Sequence, residues 1–315
     1  MCKHMKIYIG EDIVKGKKCI LALGDFDGVH LGHLKLIKQA KAEALKIKCE
    51  CGIYTFKENS KKCLGAKNFS HLTTESEKNE LFEMAEVDFV CYDDFYKVRD
   101  FSPEEFCDYL TEKFDIHTVV CGENYTFGKK AMAGERQLRE YMAKKGIYCI
   151  TVKSHIVSDH EVSSTKIRQL LKSGEIQKAN ELLGYRYFID TDVVHGQHIG
   201  SLWGFPTINQ YQYGAKTILE HGVYCSICTI DDKRYEGVTN VGVRPTLYEK
   251  DEEKAEIFET HILNYSGDLY GKKVRTEFCK KLRCEKKFAN AEELRKGIYT
   301  DIQQAKKYFE KEHYI

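Results

Sequence analysis

His30 and His33 stand three residues apart in the segment GDFDGVHLGH, residues 24–33. On the first turn of a helix that spacing puts both imidazoles on one face. Gly24, Gly28 and Gly32 let a ligand approach the backbone closely and allow positive φ. Three chemistries fit such a stretch: a tight turn, a metal site or a cradle for phosphates. A metal needs a third ligand, and no HExxH or CxxC lies nearby. The pattern is neither GxGxxG nor GxxxxGK[ST]. Histidines at a helix N-terminus can donate hydrogen bonds to phosphates, most strongly where charge builds up in a transition state. The phosphate cradle is the stronger reading; a strand-to-helix turn with solvated histidines is the alternative.

The surrounding elements suit such a cradle. The apolar run KCILALG (18–24) leads into the glycines, and LKLIKQAKAEALK (34–46) follows with Leu34, Ile37, Ala44 and Leu45 at helical spacing. Strand signals at 51–56, 87–93, 117–122 and 147–153 alternate with helical ones near 75–86, from Pro103, and at 135–146. That alternation predicts a parallel sheet covered by helices, with a ligand crevice where a strand turns into a helix.

Residues 163–184 read as two short helices, the second stopped by Gly184. Beyond them YRYFIDTDVVHG, GVYCSICTI, KRYEGVTNVG, AEIFETHIL and KKVRTEFCKKLR are strand-like, and a helix over about 291–311 closes the chain. This predicts an antiparallel barrel with a C-terminal helix, and a division into domains 1–184 and 185–315. Two of the three prolines fall in GFPTIN (204–209) and NVGVRPT (240–246), as rigid turns or strand starts. On its own, Glu259 reads as a strand residue facing solvent.

At 315 residues two domains are expected. A net charge of +1 gives no basic field that would advertise nucleic acid. No leader pattern and no apolar run long enough for a membrane helix is present, so a cytoplasmic protein is expected. Thirteen cysteines, an odd number in a long chain, suit reduced thiols better than a disulfide framework. The one CxxC, Cys225 and Cys228, lies in a strand pattern, where residues three apart face opposite ways and cannot share a metal.

GDFDGVHLGH resembles the HxGH signature of nucleotidyltransferases, and its FDGVHxGH form resembles the adenylyltransferase half of bacterial bifunctional riboflavin kinase/FAD synthetases. GENYTFGKKAMAG (122–134) and VSSTKIRQLL (162–171) resemble two further motifs of that family, in the same order. The resemblance implies an ATP site holding phosphates on His30 and His33, with Gly24, Phe26 and Gly28 in the cradle. Asn124 would contact nucleotide or metal, and Ser164, Thr165 and Arg168 would close over the triphosphate. Ser164 and Thr165 can cap a helix starting near Lys166, and Arg168 offers a planar fork to phosphate oxygens. One departure is YTFKENSKK, which lacks the prolines usual in the family and leaves residues 57–70 unaligned.

In the second half VVHGQHIGSLWGFPTIN (193–209), NVGVRPT, FETHIL (258–263), GDLYGKKV (267–274) and LRCEKKF (282–288) resemble the riboflavin kinase domain. The resemblance implies that the loop from Gly196 to Gly200 lies over ATP, with Pro206 and Arg283 also in the ATP and flavin site. Thr207 would offer its hydroxyl to Mg²⁺, Asn209 would support the phosphates, and Glu259 would take the proton from the riboflavin 5′-hydroxyl. Thr191 and Ser201 stand where the family often has glycine and arginine. The implied fold is a Rossmann-like nucleotidyltransferase domain followed by a β-barrel kinase domain. The implied activity is Mg²⁺-dependent conversion of riboflavin to FMN and of FMN to FAD, with flavin as product rather than bound prosthetic group. A monomer or weak homo-oligomer is expected. The alternatives are one surviving activity, or a non-catalytic flavin sensor.

Overall fold

Continuous apolar runs such as Cys19–Leu23 suit the interior of a parallel sheet covered on both faces, and the first half of the chain builds one. In the computed structural model, which describes residues 4–10, 12–66, 69–196, 204–212, 214–243 and 256–312, contacts divide the chain into two compact units, Met1–Ser164 and Thr165–Ile315.

The first unit holds strands β1 (Lys6–Ile9), β2 (Val14–Leu23), β3 (Glu50–Phe56), β4 (Phe89–Asp93), β5 (Phe114–Gly122) and β6 (Tyr148–Val152). They pair in the order β1-β4-β3-β2-β5-β6, all parallel. From β2 the chain winds outward through β3 and β4 on one side, then returns to β5 on the other. The strand order therefore reverses beside β2, and the crevice at its carboxyl end is where such sheets bind ligands. Helix α1 (Leu31–Ile47) begins there. Thr74 and Glu77 form a capping box on α2 (Glu75–Met84). Ser102 and Glu105 do the same on α3 (Pro103–Lys113), whose proline occupies the first turn. Helix α4 (Glu135–Lys144) completes the expected alternation. The sequence pattern did not reveal β1, whose four residues are too exposed to show a buried run.

The second unit is a closed barrel of β7 (Phe188–Val194), β8 (Ile208–Gln212), β9 (Gly222–Ile230), β10 (Lys233–Val243), β11 (Glu256–Ile262) and β12 (Lys273–Cys284). The order is β7-β8-β11-β10-β9-β12, every pair antiparallel. Asp231 and Asp232 both take positive φ, 46° and 61°, and make the two-residue turn from β9 to β10. Five strands were expected; the sixth, β8, begins at Ile208 near the end of the GFPTIN segment and runs on to Gln212.

Cys228 packs inside the barrel with Val193 and Val274. Cys225 packs on the outer face with Ile302 and Phe309 of the closing helix (Ala291–Glu312). The two thiols thus face opposite ways.

Helices α5 (Ser164–Lys172) and α6 (Ile176–Leu183) connect the halves in sequence, and Gly184 ends α6 at φ 82°. The division by contacts falls ahead of the expected 184/185 boundary because these helices bond to the barrel. Asn180 donates its amide to the Phe278 carbonyl and accepts the Tyr187 N–H, both at 2.8 Å. The Leu171 carbonyl accepts the Glu220 N–H at 3.1 Å. The closing Ala291–Glu312 helix is α7.

Candidate active sites

The loop from β2 to α1 is held from several directions. Buried Asp27 accepts the N–H groups of Leu72 at 2.9 Å and Thr73 at 3.4 Å. Gly28 donates its N–H to the Thr73 hydroxyl at 3.1 Å. Its φ is +81°, and a Cβ there would lie 2.6 Å from Leu72 Cδ1, so glycine is required. The Asp27 carbonyl accepts the Ser164 hydroxyl at 3.0 Å. Asp25 accepts the Ser60 hydroxyl at 2.6 Å and fixes the one-turn helix Ser60–Cys63 in the 57–70 segment. Asp25 and Asp27 therefore hold the loop in place.

This scaffold presents the histidines. His30 is the N-cap of α1, its Nδ1 accepting the His33 N–H at 3.3 Å. The two rings stack, with centroids 3.6 Å apart and planes 15° from parallel. Phe26, fully buried at φ 51°, lies 5.2 Å from the His33 ring and edge-on to Phe82. His33 Nδ1 is buried without a hydrogen bond among the described residues. Burial first, then His30 and Lys78, holds the His33 imidazole well below the usual histidine range. A helix N-terminus, with its exposed N–H groups, is suited to an anion.

Lys78 was not singled out from sequence, because a lysine on a helix looks like a solvated charge. It is buried, with Nζ 3.5 Å from the Asp25 carbonyl and 5.1 Å from the centre of the Tyr92 ring. Burial lowers its pKa against the opposing pull of Asp27 and Asp25.

Asn124 is exposed just past β5, the strand beside β2 across the order reversal. Gly24 backs the loop, its missing Cβ filled by Phe26 at 3.2 Å. Helix α5 starts at Ser164, two residues earlier than expected. Ser164 and Thr165 therefore occupy its first turn instead of capping it, and the Ser164 hydroxyl serves the motif loop. Thr165 is exposed and Arg168 half-buried on the same helix.

In the barrel, Asn209 of β8 pairs with Glu259 of β11. The Asn209 Oδ1 is buried without a hydrogen bond among the described residues, a loss worth about 1–3 kcal/mol unless a ligand supplies a partner. Gly196 presses on the same amide, where a Cβ would lie 2.1 Å from Nδ2. The Pro206 carbonyl accepts from His261 Nδ1 at 2.8 Å, which ties the Pro206–Thr207 segment to the strand of Glu259. His261 went unnoticed in sequence because its partner is 55 residues away. Thr207 and Glu259 are half-buried. Arg283 makes three hydrogen bonds of 2.8–3.2 Å to the buried Asp301 carboxylate of α7. Its guanidinium also lies 5.5 Å from the Phe288 ring centre. It thus straps β12 to the closing helix. Gly200, Ser201 and the Arg244–Thr246 part of NVGVRPT lie outside the described residues. Among the described residues no group of three or more His, Cys, Asp or Glu side chains can hold a metal.

The comparisons follow the same division. A family model described as FAD synthetase matches residues 12–166, and one described as riboflavin kinase matches 183–309. The bifunctional riboflavin kinase/FMN adenylyltransferase of Bacillus subtilis (strain 168) is 33% identical over 297 residues, covering 93% of both chains. That of Listeria monocytogenes is 32% identical over 300 residues, again with 93% of each chain. A solved structure described as a macrolide-efflux protein from Streptococcus pneumoniae superposes with a TM-score of 0.87 at 25% identity, over 96% of this chain and 99% of that one. A FAD synthetase model over residues 12–166, a riboflavin kinase model over residues 183–309, and relatives 32–33% identical over 93% of both chains place the chain in the family of bifunctional riboflavin kinase/FMN adenylyltransferases.

Proposed function

We propose that residues 185–315 make FMN and that residues 1–184 convert it to FAD. The chain is a bifunctional riboflavin kinase and FMN adenylyltransferase. The observation that carries the assignment of residues is the register of Asn209 against Glu259. It sets a carboxylate beside a buried amide oxygen that has no partner among the described residues.

In the kinase step the riboflavin 5′-oxygen attacks the γ-phosphorus of ATP, the bond to ADP breaks, and Glu259 takes the hydroxyl proton. A primary alcohol is a weak nucleophile, so a carboxylate within hydrogen-bond reach is useful. The Thr207 hydroxyl and Asn209 Oδ1 are hard oxygen donors of the kind Mg²⁺ prefers, and the unpartnered state of Oδ1 fits that use. Bound Mg²⁺ would neutralise phosphate charge. Gly196 leaves room for the loop through Gly200 to lie over ATP, with Pro206 fixing the approach. Arg283 contributes by holding the wall of the flavin site against α7.

In the second step an FMN phosphate oxygen attacks the α-phosphorus of ATP and pyrophosphate leaves. The nucleophile is already anionic, so positioning and charge neutralisation carry the reaction. His30 and His33 hold the phosphates in the cradle of Gly24, Phe26 and Gly28. Asn124, Ser164, Thr165 and Arg168 complete the nucleotide site.

Substrates are the small molecules riboflavin, FMN and ATP, and the cytoplasm is the proposed compartment. The described cysteines are unbridged, which supports this. No described helix is long and apolar enough to cross a membrane. Incubation with riboflavin, ATP and Mg²⁺, followed by chromatographic separation of the flavins, tests the reading. FMN and FAD should both appear. FMN alone would assign a single activity, and bound riboflavin without ATP consumption would identify a sensor.

A further inference from the structure

Antiparallel pairing puts Asn209, Glu259 and Asn240 in one row across β8, β11 and β10. Asn209 is opposite Glu259, and Asn240 is opposite Glu259 on its other side. Residues paired in this way project from the same face of a sheet. Here it is the face away from the barrel interior, which Phe258, Thr260, Thr239 and Val241 fill. The row continues to Val223, the partner of Asn240. Val223 is buried under α7 with Ile302 and Ala305. Asn240 is therefore the last open position before the helix wall. Asn240 and Glu259 are both half-buried, and neither side chain bonds to another described residue.

The direction of the reaction sets what lies over Asn240. This step rests on Glu259 being the kinase base. Attacking oxygen, phosphorus and leaving oxygen stand nearly in line in phosphoryl transfer. Thr207 and Asn209 hold the phosphate on one side of Glu259, so the carbon chain of the alcohol must leave on the other. Neighbouring strands are about 4.8 Å apart, which brings the first hydroxyl-bearing carbons behind the nucleophile over β10. A carboxamide both donates and accepts, and so can bond two hydroxyls of a polyol at once. We propose that Asn240 is a substrate-binding residue of the kinase site that reads the ribityl hydroxyls next to the attacking oxygen, and so selects a polyol-bearing flavin.

The test compares riboflavin with lumiflavin, which has the same ring system and no polyol, by fluorescence titration of the full chain. Asn240→Ala should weaken riboflavin about tenfold, about 1.4 kcal/mol, and leave lumiflavin unchanged. KM for riboflavin should rise with it, while KM for ATP and the adenylylation of supplied FMN stay at their original values. Asn240→Thr keeps a hydroxyl on a residue that strands favour. It should lose less riboflavin affinity, and it carries the test if the alanine variant does not fold. Unchanged riboflavin binding, or equal loss for both flavins, overturns the proposal. Because these are binding measurements, they read separately from the assignment of Glu259. That assignment fails if Glu259→Gln still forms FMN at the original rate.

Discussion

His30 caps the helix whose first turn carries His33, and the two imidazoles lie stacked 3.6 Å apart. The His30 Nδ1 accepts the His33 N–H, which leaves Nε2 of that ring as its donor. Burial holds the His33 imidazole well below the usual histidine range.

Replacing His30 with alanine removes both a phosphate contact and a helix cap. FAD formation from FMN should fall about 10²–10³-fold, with about 1 kcal/mol lost from the stability of the first unit. FMN formation from riboflavin by the same protein should be unchanged. Assaying the two steps separately on the full chain checks this.

The depressed pKa of His33 has a definite sign. Between its folded value and about 6.5, the unfolded chain binds the proton and the folded chain does not. Stability is therefore full above about pH 6.5 and declines as pH falls below it. NMR titration of the His33 ring should place its midpoint below 6.5 in the free protein and move it upward when pyrophosphate is added. A midpoint at or above 6.5 in the free protein contradicts the burial argument.

Glu259→Gln keeps the shape of the side chain and loses the base. FMN formation should drop about 10²–10⁴-fold, whereas FAD formation from supplied FMN continues at the original rate. Loss of both activities in a protein that remains folded would mean the sites are not separate.

Asp301 is buried, and Arg283 is 28% exposed at its side chain. Asp301→Ala leaves the guanidinium without its carboxylate and should destabilise the barrel by about 2–3 kcal/mol, read by denaturant unfolding. Arg283→Ala strands the more deeply buried partner and should cost at least as much.

Burial pushes the thiols of Cys51, Cys225, Cys228 and Cys279 up to about 12. Cys284 is exposed. At pH 8 iodoacetamide should modify Cys284 within minutes and leave those four intact until the protein unfolds. Peptide mass spectrometry gives the order.

Much of the first site was legible in sequence. An apolar run, glycines and two histidines three apart announce a strand, a turn and a helix face. The supports of that turn were not legible. Asp27 bonds to Leu72 and Thr73, Asp25 to Ser60, and Lys78 reaches back to the same loop. Each partner is too distant in sequence for local spacing to indicate it. The start of α5 was misplaced by two residues because Ser163, Ser164 and Thr165 are all capable caps, and local chemistry does not choose among them.

In the barrel, AEIFETHIL read as a strand with Glu259 facing solvent, since the period of a strand is two. It did not show what stands beside Glu259. The sequence by itself determined the residue types at both sites and the local elements that bear them, because helical and strand periodicity act over a few neighbouring residues. Only the tertiary structure decided that Asn209, Glu259 and Asn240 form one row and that Arg283 is held by Asp301. Strand pairing and ion pairing join distant segments, and a register is fixed by the packing of the whole sheet rather than by any one strand.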